Sequence, residues 1–199
     1  MMRRILASVV AGALALTLAA CSGGNDDLVK QYQSGTGKGY ISGDGRVQEI
    51  PVDQRGGTVE FTGTAIDGST ITSADYAGKV LVLNFWYADC APCRVEAPIL
   101  ERTFQQTKPD GAEFLGVNIY DGPERATSFE EKYGISYPSL LAVSDADLKL
   151  AFAEWTSVQA TPTTLVVDRQ GRVAARFVGQ VQDDTSLPTI VADVLAEGS

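Results

Sequence analysis

The chain has 199 residues, of which 44% are hydrophobic and 21% are charged, so its length and composition fit one globular domain with additional tails. Its formal net charge of −9 argues against nucleic acid as a partner, because phosphate binding requires a basic surface. The acidic charge identifies no other partner by itself, since acidity commonly serves solubility.

The first twenty residues have the pattern of a secretory signal peptide. Arg3 and Arg4 form a basic start, and the apolar segment 5–20 is rich in Ala, Leu and Val. This segment is short for a membrane span, although an uncleaved anchor is an alternative. We therefore expect residues 1–20 to be removed on export.

The apolar segment ends in Leu18-Ala19-Ala20-Cys21, which resembles the lipobox of bacterial lipoproteins. The resemblance implies that Cys21 receives a diacylglyceryl group and becomes the new N-terminus. An ordinary cleaved signal with a nearby cysteine is the alternative. Two or more acyl chains give stable anchoring, which a single chain does not. We expect an exported protein, anchored by lipid to the outer face of the bacterial cytoplasmic membrane.

Residues 21–58 are predicted to form a lipid-anchored flexible linker. Gly, Ser, Asp and Gln are frequent there, large apolar residues are few, and helical periodicity is weak. Only short extended pieces are expected, at 40–41 and 47–50. The folded domain is therefore placed at residues 59–199.

The domain is predicted to open with a β-hairpin and to continue with alternating strands and helices. Residues 59–66 alternate in polarity before Asp67-Gly68, a strong turn signal, and 70–72 form the return strand. The β-α-β order that follows favours a parallel core. Further strands are predicted at 80–86, 114–119, 140–142, 163–168 and 173–178. Helices are predicted at 94–106, with Pro92 in a preceding first turn, and at 124–133, 145–152 and 187–196.

Cys90-Ala91-Pro92-Cys93 lies where the strand 80–86 passes into a helix. The positive end of the helix dipole favours a thiolate at Cys90, and Cys93 lies one turn further on. A C-x-x-C motif at such a junction is typical of dithiol-disulfide redox chemistry. We expect Cys90 to be the more accessible and more acidic thiol, and Cys93 to be shielded.

Half of a zinc site and an inert disulfide are the alternatives for this motif. Zinc requires two further ligands, usually Cys or His, but the chain has no His and its one other cysteine is Cys21. The sequence therefore favours a redox pair that works without a metal or another cofactor.

Three motifs in chain order resemble the thioredoxin-fold family, and within it the TlpA/ResA-like group. They are Gly78–Trp86, Cys90–Pro98 and Ala160–Thr164 with the following segment 166–173. The resemblance covers about residues 60–196. It implies an α/β, thioredoxin-like fold, with a central mixed β-sheet flanked by helices and here an N-terminal β-hairpin extension. It also implies an exported, membrane-tethered thiol-disulfide oxidoreductase.

The resemblance also implies roles for residues outside the C-x-x-C motif. Pro162 falls where the family places a cis-proline facing the disulfide, and the backbone of Thr161 would then pair with a substrate strand. Trp86 is expected to be partly core and partly a substrate-facing wall beside the sulfurs. Asn84 stands where cytoplasmic thioredoxins have a buried acid. Glu96 is expected to replace that acid as proton carrier, or else to be a first-turn carboxylate favoured by the helix dipole.

Two positions depart from the family pattern. Asp89 stands where relatives often have Trp, and Ala91 replaces Gly or Glu. A negative charge beside Cys90 opposes the thiolate, so Asp89 is expected to make the disulfide harder to reduce.

The function most favoured is reduction of disulfides in exported proteins, including a role in cytochrome c maturation. By family resemblance, a membrane thiol donor would re-reduce the pair, and the protein would be a monomer bound to the membrane through its lipid anchor. Alternatives are a thiol peroxidase-type redoxin, a metal-binding protein of related fold, and an inert lipoprotein. The absence of His argues against copper binding.

Overall fold

The computed structural model describes residues 47–157 and 160–197. The expected signal peptide, Cys21 and residues 22–46 of the expected linker lie outside the described residues. Within the described ranges, no helix combines the length and apolarity needed to cross a bilayer. The strands are β1 (Val47–Glu49), β2 (Thr62–Thr64), β3 (Thr70–Thr72), β4 (Val80–Trp86), β5 (Ala112–Asn118), β6 (Ser139–Leu141), β7 (Thr163–Val167) and β8 (Val173–Val178). The α-helices are α1 (Ala91–Thr107), α2 (Pro123–Tyr133), α3 (Ala146–Ala151) and α4 (Ser186–Ala196).

A mixed sheet forms the centre of the domain, as the sequence predicted. Its strand order is β1-β8-β7-β4-β5-β6. Strands β4, β5 and β6 are parallel, whereas β7 runs antiparallel to both β4 and β8. All seven residues of β4 are buried, which explains why this strand reads as an unbroken apolar segment.

Alternate residues of β4 supply two separate apolar cores, one on each face of the sheet. Val80 and Val82 pack with residues of α1 and α4, including Phe104 and Val191. Leu81, Leu83 and Phe85 pack on the other face, where the hairpin and α3 cover the sheet; residues of this second core include Phe61, Leu148 and Phe152. The sheet is therefore buried on both faces, as expected for parallel strands.

The predicted hairpin is confirmed as the two-stranded pair β2–β3. Gly68 adopts φ +85° at its turn, a left-handed conformation that glycine adopts without a steric penalty. The hairpin reaches the sheet edge through the backbone of Ile66, whose N–H donates to the carbonyl of Ser139 at 3.0 Å. Gly63 allows this close approach, because a Cβ there would lie 2.9 Å from Leu148 Cδ2.

A strand of the central sheet precedes residue 59, where the folded domain was predicted to begin. Strand β1 pairs antiparallel with β8, with Val47 opposite Phe177 and Glu49 opposite Ala175. A short 3-10 helix, Val52–Gln54, follows. The extended piece predicted at 47–50 is thus confirmed as a strand. Its place in the sheet was not predicted, because a three-residue edge strand beside a Gly-rich segment has too few residues for a clear period-2 pattern.

Candidate active site

The candidate site lies at one end of the sheet, where the parallel strands β4 and β5 both terminate. The loop 87–90 continues from β4, and residues 119–122 continue from β5. Phe85 is paired with Thr163 at the start of β7, which brings Pro162 to the same end. Ligand sites of open α/β sheets are commonly formed at the carboxyl ends of the strands.

The two cysteines are joined by a disulfide bond at the start of α1. Cys90 is the N-cap residue of this helix, and its Sγ accepts a hydrogen bond from the Cys93 N–H at 3.1 Å. Pro92 lies in the first turn, where its missing N–H leaves no helical hydrogen bond unmade. The helix N-terminus is therefore directed at the sulfur of Cys90, which is where a thiolate would be stabilised.

The expected difference in exposure between the cysteines is not found. Both residues are 2% exposed in the oxidised protein. They share an apolar cluster with Trp86, Ala97 and Phe129, and this packing covers both sulfurs alike. In this state it is the N–H bond to Cys90, and not solvent access, that distinguishes the two sulfurs.

Trp86 packs inside this cluster. It is buried, and its ring centroid lies 4.4 Å from that of Phe129 on α2. The ring therefore fixes α2 against the end of β4 beside the cysteines. Contact between Trp86 and a bound substrate stays a prediction.

Glu96 is completely buried on the inner face of α1, in its second turn. Asn84 Nδ2 donates to Oε1 at 2.8 Å, and the backbone N–H of Val181 donates to Oε2 at 2.9 Å. Burial raises the pKa of Glu96 to about 7, although both hydrogen bonds act in the opposite direction. The alternative of a dipole-stabilised first-turn carboxylate is therefore wrong.

Asn84 connects this carboxyl to the sheet. Its Nδ2 also donates to Thr164 Oγ1 at 3.0 Å, and the two residues face each other across β4 and β7. From the sequence, Asn84 was expected only as the replacement of a buried acid and not as the partner of Glu96. The spacing of the two residues along the chain gave no signal of this contact.

Pro162 follows a cis peptide bond, as expected from the resemblance. Its carbonyl accepts a hydrogen bond from the Gly179 N–H at 2.9 Å, which joins the start of β7 to the end of β8. The register places Thr161 and Pro162 at the cysteine end of the sheet. Their predicted contact with a substrate strand stays a prediction.

The loop before Cys90 is held by a buried carboxylate that the sequence analysis missed. Asp121 Oδ2 accepts hydrogen bonds from the Ala88 N–H at 2.6 Å and from Asn118 Nδ2 at 3.0 Å. Beside them, Tyr87 packs edge-on against Tyr120, with ring centroids 5.1 Å apart. Tyr120 is 55% exposed, so this pair gives the site an aromatic rim facing solvent.

Asp89 is held between two arginines. Arg94 Nη2 lies 3.1 Å from its Oδ1, and Arg125 Nη2 contacts its Oδ2. The negative charge that the sequence places next to Cys90 is therefore partly compensated.

The chain matches known proteins over the part that carries these residues. The family model described as Redoxin matches residues 49–194. The thiol:disulfide interchange protein HelX of Rhodobacter capsulatus is 40% identical over 114 residues, which cover 57% of this chain and 60% of HelX. The thiol-disulfide oxidoreductase ResA of Geobacillus kaustophilus is 30% identical over 120 residues, which cover 60% of this chain and 66% of ResA. The chain thus spans less than two thirds of the length of these relatives.

Solved structures give the same result for the fold. A DsbF homologue from Corynebacterium diphtheriae superposes with a TM-score of 0.65 at 27% identity. A secreted thiol-disulfide isomerase from Corynebacterium glutamicum superposes with a TM-score of 0.68 at 26% identity. Each alignment covers 80% of this chain and 99% of the other, which confirms the thioredoxin-like α/β fold. Because the Redoxin model matches more than half of the sequence, the chain belongs to the Redoxin family.

Proposed function

We propose that this protein is a thiol-disulfide oxidoreductase that uses Cys90 and Cys93 to reduce disulfide bonds in exported proteins. The observation that carries the proposal is the Cys90–Cys93 disulfide at the start of α1, with the Cys93 N–H donating to Cys90 Sγ. This arrangement makes Cys90 both the better nucleophile and the better leaving group of the pair. The names of HelX and ResA describe the same chemistry in relatives.

Reduction of a substrate proceeds through a mixed disulfide. The Cys90 thiolate attacks one sulfur of the substrate disulfide, that bond breaks, and the other substrate sulfur leaves as a thiolate that takes a proton. Cys93 then loses its proton and attacks Cys90 Sγ, which restores the Cys90–Cys93 disulfide and releases the second substrate thiol. The protein has given up two electrons, and a membrane thiol donor returns them.

Glu96 is the group proposed to exchange the proton of Cys93. It lies one helical turn from Cys93 on the same helix, is completely buried, and has a pKa raised to about 7 by that burial. A carboxyl that titrates near neutral pH can take up a proton and return it in the same cycle. The carbonyl and N–H groups around Pro162, with Trp86 and Thr161, are proposed to position the substrate segment.

The cellular setting is part of the same proposal. Export and lipid attachment at Cys21 would hold the domain at the outer face of the cytoplasmic membrane. There it would meet exported substrates, including apocytochrome c, together with the membrane thiol donor. The resemblance to the TlpA/ResA-like group and the Leu18–Cys21 motif support this setting.

The roles of the two cysteines can be tested by trapping. Cys93→Ser should accumulate mixed disulfides with partner proteins, because the thiol that resolves them is absent. Cys90→Ser should trap few or none, and both variants should lose insulin reduction. Non-reducing gels of cell extracts, compared with reduced samples, provide the measurement. Adducts that accumulate in Cys90→Ser instead would reverse the assignment.

A further inference from the structure

Four charged side chains form a cluster around the residue that precedes Cys90. We call Asp89, Arg94, Arg125 and Asp121 the Asp89 clamp. The Asp89 side chain is 65% exposed, yet both of its oxygens are taken, Oδ1 by Arg94 and Oδ2 by Arg125. Arg125 also contacts Asp121, with 3.1 Å between Nε and Oδ1. The clamp therefore contains two positive and two negative groups.

The clamp connects three elements to the loop that carries Cys90. Arg94 extends from the start of α1, and its Nε donates to the Ala88 carbonyl at 2.8 Å. Arg125 extends from the start of α2, and Asp121 precedes that helix. Asp121 also accepts the Ala88 N–H. Arg125 is thus tied to the loop by two routes, directly through Asp89 and indirectly through Asp121.

The clamp is adjacent to Cys90 along the chain, because Asp89 is the preceding residue and Arg94 belongs to the first turn of the helix that Cys90 caps. An uncompensated carboxylate next to a sulfur disfavours the thiolate, whereas neighbouring guanidinium groups favour it. Arg94 is engaged by both the Ala88 carbonyl and Asp89. Arg125 supplies the second countercharge for Asp89, and it comes from an element remote in sequence.

We propose that Arg125 is a positioning residue that raises the reduction potential of the Cys90–Cys93 pair by holding and neutralising Asp89. The proposal rests on the redox function proposed above. Reduction by two glutathione molecules adds two electrons and breaks the Cys90–Cys93 bond, while the glutathiones form their own disulfide. Of the two protons they lose, one goes to Cys93 and one to solvent, so that Cys90 remains a thiolate. Arg125 favours that product by removing the charge that opposes it.

The test is the equilibrium of the purified protein with glutathione redox buffers. Arg125→Gln should make the disulfide harder to reduce by up to about fivefold, which is about 20 mV for a two-electron couple. Asp89→Asn should make it easier to reduce by a similar factor. Arg102→Gln is the matched control, because Arg102 is also an exposed arginine, lies on α1 and pairs with Asp184 outside the clamp. It should leave the equilibrium unchanged.

The double variant separates positioning from a direct effect. If Arg125 acts through Asp89, then Arg125→Gln should have less than half of its effect in an Asp89→Asn background. An equal effect in both backgrounds, or an Arg125→Gln protein indistinguishable from Arg102→Gln, would overturn the proposal. Arg125→Lys keeps the positive charge and should retain most of the wild-type reduction potential. A change seen only in Arg125→Gln is then due to the lost charge and not to misfolding.

Alkylation of Cys90 provides a second readout. In a Cys93→Ser background, the pH midpoint of iodoacetamide labelling should move up with Arg125→Gln and down with Asp89→Asn. Both shifts should shrink at about 1 M salt, because Asp89, Arg94 and Arg125 are exposed and screening then acts over a few ångströms. The charged or titratable groups next to Cys90 in the chain or on the helix that it caps are Asp89, Arg94 and buried Glu96, and Arg125 joins them through Asp89. Neither the glutathione equilibrium nor the alkylation of Cys90 uses a protein substrate. The proposal for Arg125 can therefore fail while partner trapping succeeds, and partner trapping can fail while the proposal for Arg125 holds.

Discussion

Glu96 is held by two hydrogen bonds, one from a side chain and one from the backbone. A side chain of the central strand donates to one oxygen, and a backbone amide of the loop after β8 donates to the other. A completely buried carboxyl is costly unless its polar atoms have partners. The site therefore keeps an acid with a pKa near 7 without leaving either oxygen unsatisfied.

The raised pKa makes stability depend on pH in a defined direction. The stabilisation linked to protonated Glu96 is fully present below the ordinary value of 4.5 and is lost as pH rises through about 7. The free energy of unfolding of the oxidised protein should therefore fall by up to about 3 kcal/mol across this window from Glu96 alone. Glu96→Gln should lose this part of the slope.

Urea unfolding at a series of pH values measures the slope. The disulfide is kept oxidised so that the thiols do not titrate. Glu101→Gln is the control for the removal of one carboxyl from α1. A Glu96→Gln protein with the wild-type slope would contradict the assignment.

At the residue scale, the sequence predicted candidate residues of the site but neither their contacts nor the part of Asp121. Cys90 and Cys93 follow from a local motif at a helix start, which is encoded within a few residues. Pro162 was expected from the family resemblance. The partnership of Asn84 with Glu96, and of Asp121 with Ala88, depends on how separate elements pack. No spacing along the chain encodes it, so only the structure reveals it.

At the scale of elements, the segment after β1 is fastened to the far end of the sheet by Arg55. Its Nη1 lies 2.9 Å from Asp168 Oδ2, and Arg172 bonds the same carboxylate. The Glu197 carboxylate accepts hydrogen bonds from both Nη atoms of Arg55, each at 2.6 Å. The pKa of Asp168 is lowered despite burial, because the Arg172 N–H and both guanidiniums stabilise its charged form.

Removal of Arg55 should destabilise the domain. The Arg55 and Asp168 side chains are each 3% exposed, so Arg55→Met leaves a buried carboxylate with only Arg172 as its countercharge. We expect the free energy of unfolding to fall by about 2–4 kcal/mol. Lys79→Met breaks the exposed Lys79–Glu113 pair and should cost less than about 1 kcal/mol. Equal losses in urea titrations would contradict the role of burial.

The elements themselves were largely predictable, because each is marked by local chemistry. Strand β4 is a continuous apolar segment, α2 ends at Gly134 with φ +69°, and the hairpin turns at Asp67-Gly68. Strand β1 was predicted only as an extended piece inside the linker, because its three half-buried residues pair with β8, which is more than a hundred positions further along. The residues of such a short edge strand do not by themselves predict which strand it pairs with.

At the scale of the whole molecule, the order of the three motifs was sufficient to predict the thioredoxin-like fold.

Lipid attachment is predicted at Cys21 and is tested there. Cys21→Ser should abolish fatty-acid labelling and move the protein from the detergent phase to the aqueous phase, because no thiol remains to carry the diacylglyceryl group. The same variant should keep insulin reduction, since the redox pair is intact. Unchanged labelling and membrane retention would exclude a lipoprotein.

The direction of β1 has a practical consequence. Val47 lies opposite Phe177, and the next residue of β8, Val178, faces Thr163 beside Pro162. The chain therefore enters the domain at the end of the sheet that carries the cysteines. Glu197, by contrast, contacts Arg55 at the opposite end. An affinity tag joined directly before Val47 would lie at the cysteine end of the sheet, whereas one joined after Glu197 would leave that end open.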